Sequence, residues 1–146
     1  MNDRLTLERQ HLIRAWHRFV SRQPTPAPAD PQVPADTPVT QEVAASWARS
    51  SLTVPPERVS APVKAEADVQ HAWQESPLEY GVRGLIPELR RLAEEADLIV
   101  AVGDVDGTLL WTQGSARMTG LARSVNFVPG GQWGEGSVGT NALALS

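Results

Sequence analysis

Leu5, Leu12, Ile13, Trp16, Phe19 and Val20 recur at spacings of three, four and seven, and this predicts an amphipathic helix over residues 3–21. Arginines, His11 and His17 cover the rest of its surface. From Gln23 to Thr37 prolines crowd the chain too densely for helix or sheet, which predicts an extended spacer. Val43, Ala44, Trp47 and Leu52 then form an apolar stripe on a second helix from about Thr40 to Ser51, with Thr40 as its cap and Pro55 and Pro56 beyond its end. Residues 53–63 read as loop and about 64–74 as a third helix. Ser76 and Pro77 interrupt before a fourth helix, 87–96, whose buried face is expected to comprise Leu85, Ile86, Leu89, Leu92 and Ala93.

The strand signal is clearest at Asp97–Val102 and Thr108–Thr112, two short apolar runs around G-D-V-D-G. They predict a β-hairpin with Asp106-Gly107 in the turn. A short helix at 115–123 is expected to turn Met118 and Leu121 inward. The last stretch, Asn126–Ser146, holds five of the eleven glycines and implies a backbone that turns sharply or allows close approach. From Gly139 onward a helix is expected to begin, with Thr140 and Asn141 as capping residues and Ala142 to Leu145 as good helix formers.

Composition narrows the function. The formal net charge is -4, which argues against non-specific nucleic-acid binding by the chain as a whole. Residues 1–22 are the exception, with Arg4, Arg9, Arg14, Arg18 and Arg22 against Asp3 and Glu8. That helix reads either as a docking or dimerisation helix with a solvated basic face or as a basic surface for nucleic acid or an anionic membrane. There is no cysteine, which excludes disulfide and thiolate chemistry. No apolar run reaches the ~20 residues needed to span a bilayer, and the start lacks a signal peptide's apolar block. A cytoplasmic protein that does not engage membranes is expected.

Candidate chemistry is sparse. His11, His17 and His71 are far apart and no histidine or carboxylate cluster has metal-ligand spacing, so neither catalytic nor metal residues are assigned, no cofactor is expected, and the chain reads as a non-enzyme. Asp104-x-Asp106-Gly107 has half the look of a calcium loop, but Leu109 and Leu110 occupy the following positions and a hairpin turn is the better reading. The glycine-rich stretch lacks the Gly-Lys-Ser/Thr of a P-loop. Trp16, Trp47 and Trp73 read as packing residues, whereas Trp111 and Trp133 either line an apolar pocket or plug a small core.

Three segments carry a family resemblance: A-A-S-W-A-R-S at Ala44–Ser50, the turn D-V-D-G, and V-P-G-G-Q-W-G-E-G-S-V-G-T-N-A. Together they resemble the N-terminal sensory region of acetoin-catabolism-regulator-like transcription factors, over roughly residues 10–146. The last segment is similar to the family's W-x-E-x-x-x-G-T-N-A pattern, with Trp133, Glu135, Gly139, Thr140 and Asn141 on the signature positions. In that family a GAF domain, a six-stranded antiparallel sheet flanked by helices, senses a small molecule. A Fis-type helix-turn-helix, with or without an AAA+ ATPase, supplies the output.

The resemblance implies an α+β fold in which N-terminal helices precede the first part of an incomplete GAF-like sheet. Its expected parts are a helix over 1–22, a linker over 23–37, a helical region over 38–83 and the front half of the GAF-like domain over 84–146. The expected ligand-binding residues are Trp111, Phe127, Trp133, Glu135, Thr140 and Asn141. Capping by Thr140 and Asn141 is an equally good reading. The implied partner is a small-molecule ligand, with DNA engaged only through an output domain outside this sequence. The competing expectation is a truncated interaction module that homodimerises or pairs through its N-terminal helices or its exposed hairpin edge.

Overall fold

The computed structural model describes residues 2–21, 39–143 and 145. The proline-rich spacer predicted over 23–37 lies outside the described residues. The elements are α1 (Asn2–Ser21), α2 (Gln41–Ser50), α3 (Glu66–Glu75), α4 (Pro77–Arg83), α5 (Ile86–Glu95), β1 (Ile99–Gly103), β2 (Leu109–Gly114), α6 (Ala116–Ser124) and α7 (Glu135–Val138). The fold is α+β with an incomplete, two-stranded antiparallel sheet. The chain divides into two compact units, Met1–Glu57 and Arg58–Ser146.

The first unit packs α1 on α2. Ala15 and Phe19 of α1 and Trp47 of α2 are buried together, with Trp16, Val20, Val39 and Val43 around them. Trp47 lies 5.2 Å from the Trp16 ring and 5.6 Å from Phe19. Thr40 caps α2 as expected, its hydroxyl accepting the Val43 N–H at 3.3 Å. The apolar stripe of α1 is wider than its use. Leu12 and Ile13 stay exposed because a single ten-residue partner helix reaches only the 15-16-19-20 side.

In the second unit the hairpin pairs Ile99 with Gly114, Ala101 with Thr112 and Val102 with Trp111. A bulge follows, since the next pair is Gly103 with Leu109 and Leu110 is the extra residue. Side chains alternate along β2, so Trp111 and Thr112 face opposite sides of the sheet. Trp111 meets Trp73 of α3, ring centroids 6.5 Å apart and planes 16° from parallel. The turn forms at D-V-D-G. Asp104 Oδ1 accepts the N–H groups of Asp106 at 3.0 Å and Thr108 at 2.8 Å, and Gly107 takes a φ of 78°.

Three expectations are corrected. Pro77 does not merely interrupt: it opens α4 at the first helical position, where its missing N–H costs nothing, with Ser76 capping the Leu78 N–H. The helix expected from Gly139 does not form among the described residues up to 143. The helical turn comes earlier, at Glu135–Val138, and Gly139 ends it with a φ of 81°. Leu85, Leu92 and Leu121 are exposed, and the buried positions on α5 and α6 are Ala93 and Ala122. A sheet of two strands offers a narrow surface, and close helix approach through alanine leaves the flanking leucines outside it.

Candidate functional site

The glycine-rich stretch is built into the fold as a strip between two extended segments. On one side, Lys64 N–H donates to Gly130 O at 3.0 Å and Gln132 N–H to Pro62 O at 2.9 Å. On the other, Gly130 N–H donates to Leu109 O at 2.7 Å, Leu109 N–H to Gly131 O at 2.9 Å and Trp133 N–H to Gly107 O at 2.7 Å. Isolated bridges join Val63 to Gly131 and Thr108 to Gln132. Asn126, at a φ of 61°, ties the start of the strip by donating its side-chain amide to Ala61 O at 2.8 Å.

Three glycines are required by proximity, the first being Gly107, where a Cβ would stand 2.5 Å from the Gly134 nitrogen. A Cβ on Gly131 would stand 2.2 Å from the Asn126 carbonyl oxygen, and one on Gly134 would stand 2.4 Å from that of Asp106. The loop therefore lies against the hairpin turn backbone to backbone.

The aromatic positions separate. Trp111 belongs to the stack with Trp73, whereas Trp133 packs edge-on against Phe127 with centroids 5.2 Å apart and donates its indole N–H to Asn126 O at 3.1 Å. Asn141 is committed to the backbone. Its amide nitrogen donates to Trp133 O and Gly139 O, both at 2.9 Å, and its oxygen accepts the Leu143 N–H at 3.0 Å. Thr140 is half-buried beside it, and Glu135 opens α7. The structure thus gathers Phe127, Trp133 and Asn141 into one connected group and sets Trp111 in another.

Two clefts border this framework. A cleft of about 530 Å³ lies between the hairpin turn and α7, with Asp104, Asp106 and Glu135 on its walls. Asp104 is already occupied by the turn amides. Among the described residues no group of histidines or carboxylates has the arrangement to hold a metal ion.

The other cleft, about 380 Å³, lies where the Thr112 side of the sheet meets α6 and the Phe127–Pro129 segment. Its polar lining residues are Thr112, Gln113, Thr119 and Arg123, of which Gln113 turns its side chain to the opposite, Trp111 face of β2, and Ile99 and Phe127 supply apolar wall. Sequence reasoning missed these four polar residues. The signal was the i,i+4 spacing of Thr119 and Arg123 on α6 and the polar Thr112-Gln113 pair closing an apolar strand.

An ionic clasp fixes α6 against the sheet. Ser115 caps α6 by accepting the Met118 N–H at 3.2 Å and donates its hydroxyl to Asp97 Oδ1 at 2.6 Å. Arg117 Nε donates to Asp97 Oδ2 at 2.6 Å. The Arg117 and Ser115 hydrogen bonds hold the Asp97 carboxyl below its ordinary range. In the first unit, His11, Arg14, His17 and Arg18 line an open hollow on α1 and are all exposed. Among the described residues no helix is long and apolar enough to cross a membrane.

No family model matches the chain, and no solved structure matches it. It is 31% identical over 146 residues to a Rhodococcus erythropolis protein described as an uncharacterized 47.3 kDa protein in the thcA 5' region. The match covers 96% of this chain and 32% of that protein. The chain thus spans about a third of the length of the curated relative it matches.

Proposed function

We propose that this chain is a GAF-like sensory region of a bacterial transcriptional regulator, binding a small molecule without transforming it. The observation that supports this is the cleft beside α6. A pinned loop and a capped helix give it preformed walls, and its volume of about 380 Å³ suits a small metabolite. In this reading Trp133 and Asn141 act as the loop's internal frame rather than as ligand contacts. Ligand entering between sheet and α6 favours one packing of that helix over another, and the shift is passed to an output region.

The test is calorimetry and thermal denaturation of the 146-residue chain against a panel of small ketones, alcohols and carboxylates. Binding with a raised melting temperature is expected. A panel that neither binds nor shifts the melt of the folded chain overturns the reading.

A second reading, an interaction module, is favoured by the outer edge of β1. Among the described residues Ile99–Gly103 pairs only with β2, so its other edge has no backbone partner. Light scattering tests this: a stable dimer abolished by Val100→Pro supports it, and a monomer at high concentration removes it.

A further inference from the structure

We infer that the cleft between β2 and α6 takes a small organic carboxylate, with Arg123 receiving the carboxylate group. The inference rests on the sensory reading above for its biological meaning, and it names the ligand class of that same site.

Among the described residues the side chains of Thr112, Gln113, Thr119 and Arg123 have no hydrogen bond or ion pair within the protein. Arg123 shares this with Arg58 and Arg90 of the same unit, but of the three it alone lines this cleft. Arg83, Arg91 and Arg117 in the same unit are each engaged with carboxylates, namely Glu79, Glu88 with Glu95, and Asp97. No acidic side chain lines this cleft, so nothing in it competes for the guanidinium.

A guanidinium is a bidentate donor matched to a planar carboxylate. The hydroxyls of Thr112 and Thr119 on the same walls can each donate or accept, and so suit hydroxyl or carbonyl oxygens elsewhere on the molecule. Ile99 and Phe127 offer apolar contact for its carbon skeleton. The volume, about 380 Å³, lies near the low end for ligand sites and selects a compact acid over a nucleotide.

The geometry also fixes the backbone that carries Arg123. It stands in the last turn of α6, a helix held at its start by the Ser115 cap and the Asp97 clasp. The Phe127 N–H donates to Ala122 O at 2.8 Å, which ties the Phe127 segment of the rim to the end of α6.

The experiment is calorimetric titration of the 146-residue chain with 2-oxobutanoate, 3-hydroxybutanoate and benzoate, each beside its uncharged methyl ester. At least one acid is expected to bind, and its ester to bind about 10- to 100-fold more weakly, as expected for losing a charge-assisted hydrogen bond. Arg123→Gln is expected to weaken the acid by a similar factor, and Arg90→Gln, on exposed α5 surface, to leave it unchanged. Because Arg123 is exposed and unpaired, its variant should retain the parent's circular dichroism and melt. Thr112→Val gives a second measure, weakening the hydroxy and oxo acids more than benzoate.

Esters binding as tightly as their acids, with Arg123→Gln silent, would overturn the carboxylate assignment and leave the small-molecule reading standing. Acid binding that Arg123→Gln does not change would place the ligand elsewhere and also overturn it. Failure of both acids and esters to bind would remove this inference, and failure of the wider ketone and alcohol panel as well would remove the sensory reading with it.

Discussion

The side-chain amide of Asn141 donates to the carbonyl oxygen of Trp133 at 2.9 Å, so the glycine-rich segment is tied to the chain that follows α7. Asn141 also serves Gly139 O and Leu143 N–H, which makes it an organiser of the chain after α7. Asn141→Ala is expected to cost about 1–3 kcal/mol, the cost of leaving partly buried backbone groups unpaired. Asn141→Asp should cost at least as much, because it sets a carboxylate against two carbonyl oxygens. Thermal melts followed by tryptophan fluorescence check both, and an unchanged melt in either variant would refute the bracing role.

Glycine positions divide into two kinds with opposite expected signs. At Gly134 a Cβ meets the Asp106 carbonyl oxygen at 2.4 Å, so Gly134→Ala must push the loop from the hairpin turn and should destabilise by about 1–3 kcal/mol. Gly120 lies inside α6, where a Cβ would meet nothing within 4 Å beyond the helix's own backbone. Gly120→Ala should stabilise by about 0.5–1 kcal/mol through helix propensity. Urea denaturation of the two variants side by side reads the difference.

Acid should weaken the second unit through Asp97 and Glu88. Hydrogen bonds from Arg117 and Ser115 lower the Asp97 carboxyl, and the hydrogen bond and charge of Arg91 lower that of Glu88. A folded-state value below the unfolded one means the contribution is present above about pH 4 and is lost as pH falls through the folded value. Both groups are exposed enough for salt to screen them, so the acid dependence should shrink at high ionic strength. Asp97→Asn should flatten the fall in urea midpoint below pH 4, and an unaltered slope would exclude Asp97 as a contributor.

Phe19 is the pivot of the first unit, buried to 2% exposure against Trp16 and Trp47. Phe19→Ala should cost about 3–5 kcal/mol in that unit, with loss of the near-ultraviolet dichroism of its tryptophans. Leu12→Ala, at an exposed position of the same helix, should move stability by no more than about 0.5 kcal/mol. Limited proteolysis within 1–57 gives an independent reading of the same pair.

Local chemistry was the legible part of this chain. Thr40 as a cap, D-V-D-G as a turn and the two apolar runs as a hairpin follow from residues that choose their backbone within a few positions, and the structure has all three. Burial was less legible. Leu85, Leu92 and Leu121 satisfy helical periodicity as well as Ala93 and Ala122 do, and only the width of the sheet beneath them decides which goes inside.

The last helix was misplaced because Thr140 and Asn141 are cap types. Asn141's amide instead reaches backward to Trp133, a contact that no spacing rule encodes. The α6 cleft was hidden for a similar reason, since its members come from β2, α6 and the following segment and meet only in the folded chain.

The strip Gly130–Gln132 is bonded to 62–64 on one flank and to Leu109 on the other, with Gly107 holding the adjacent Trp133. Freeing it would open both flanks at once, so its amides should be among the slowest of the unit to exchange with deuterium while the chain around it breathes. Glycine here makes a fulcrum rather than a hinge. Any displacement of α6 or α7 would have to be taken up beside this bar rather than within it.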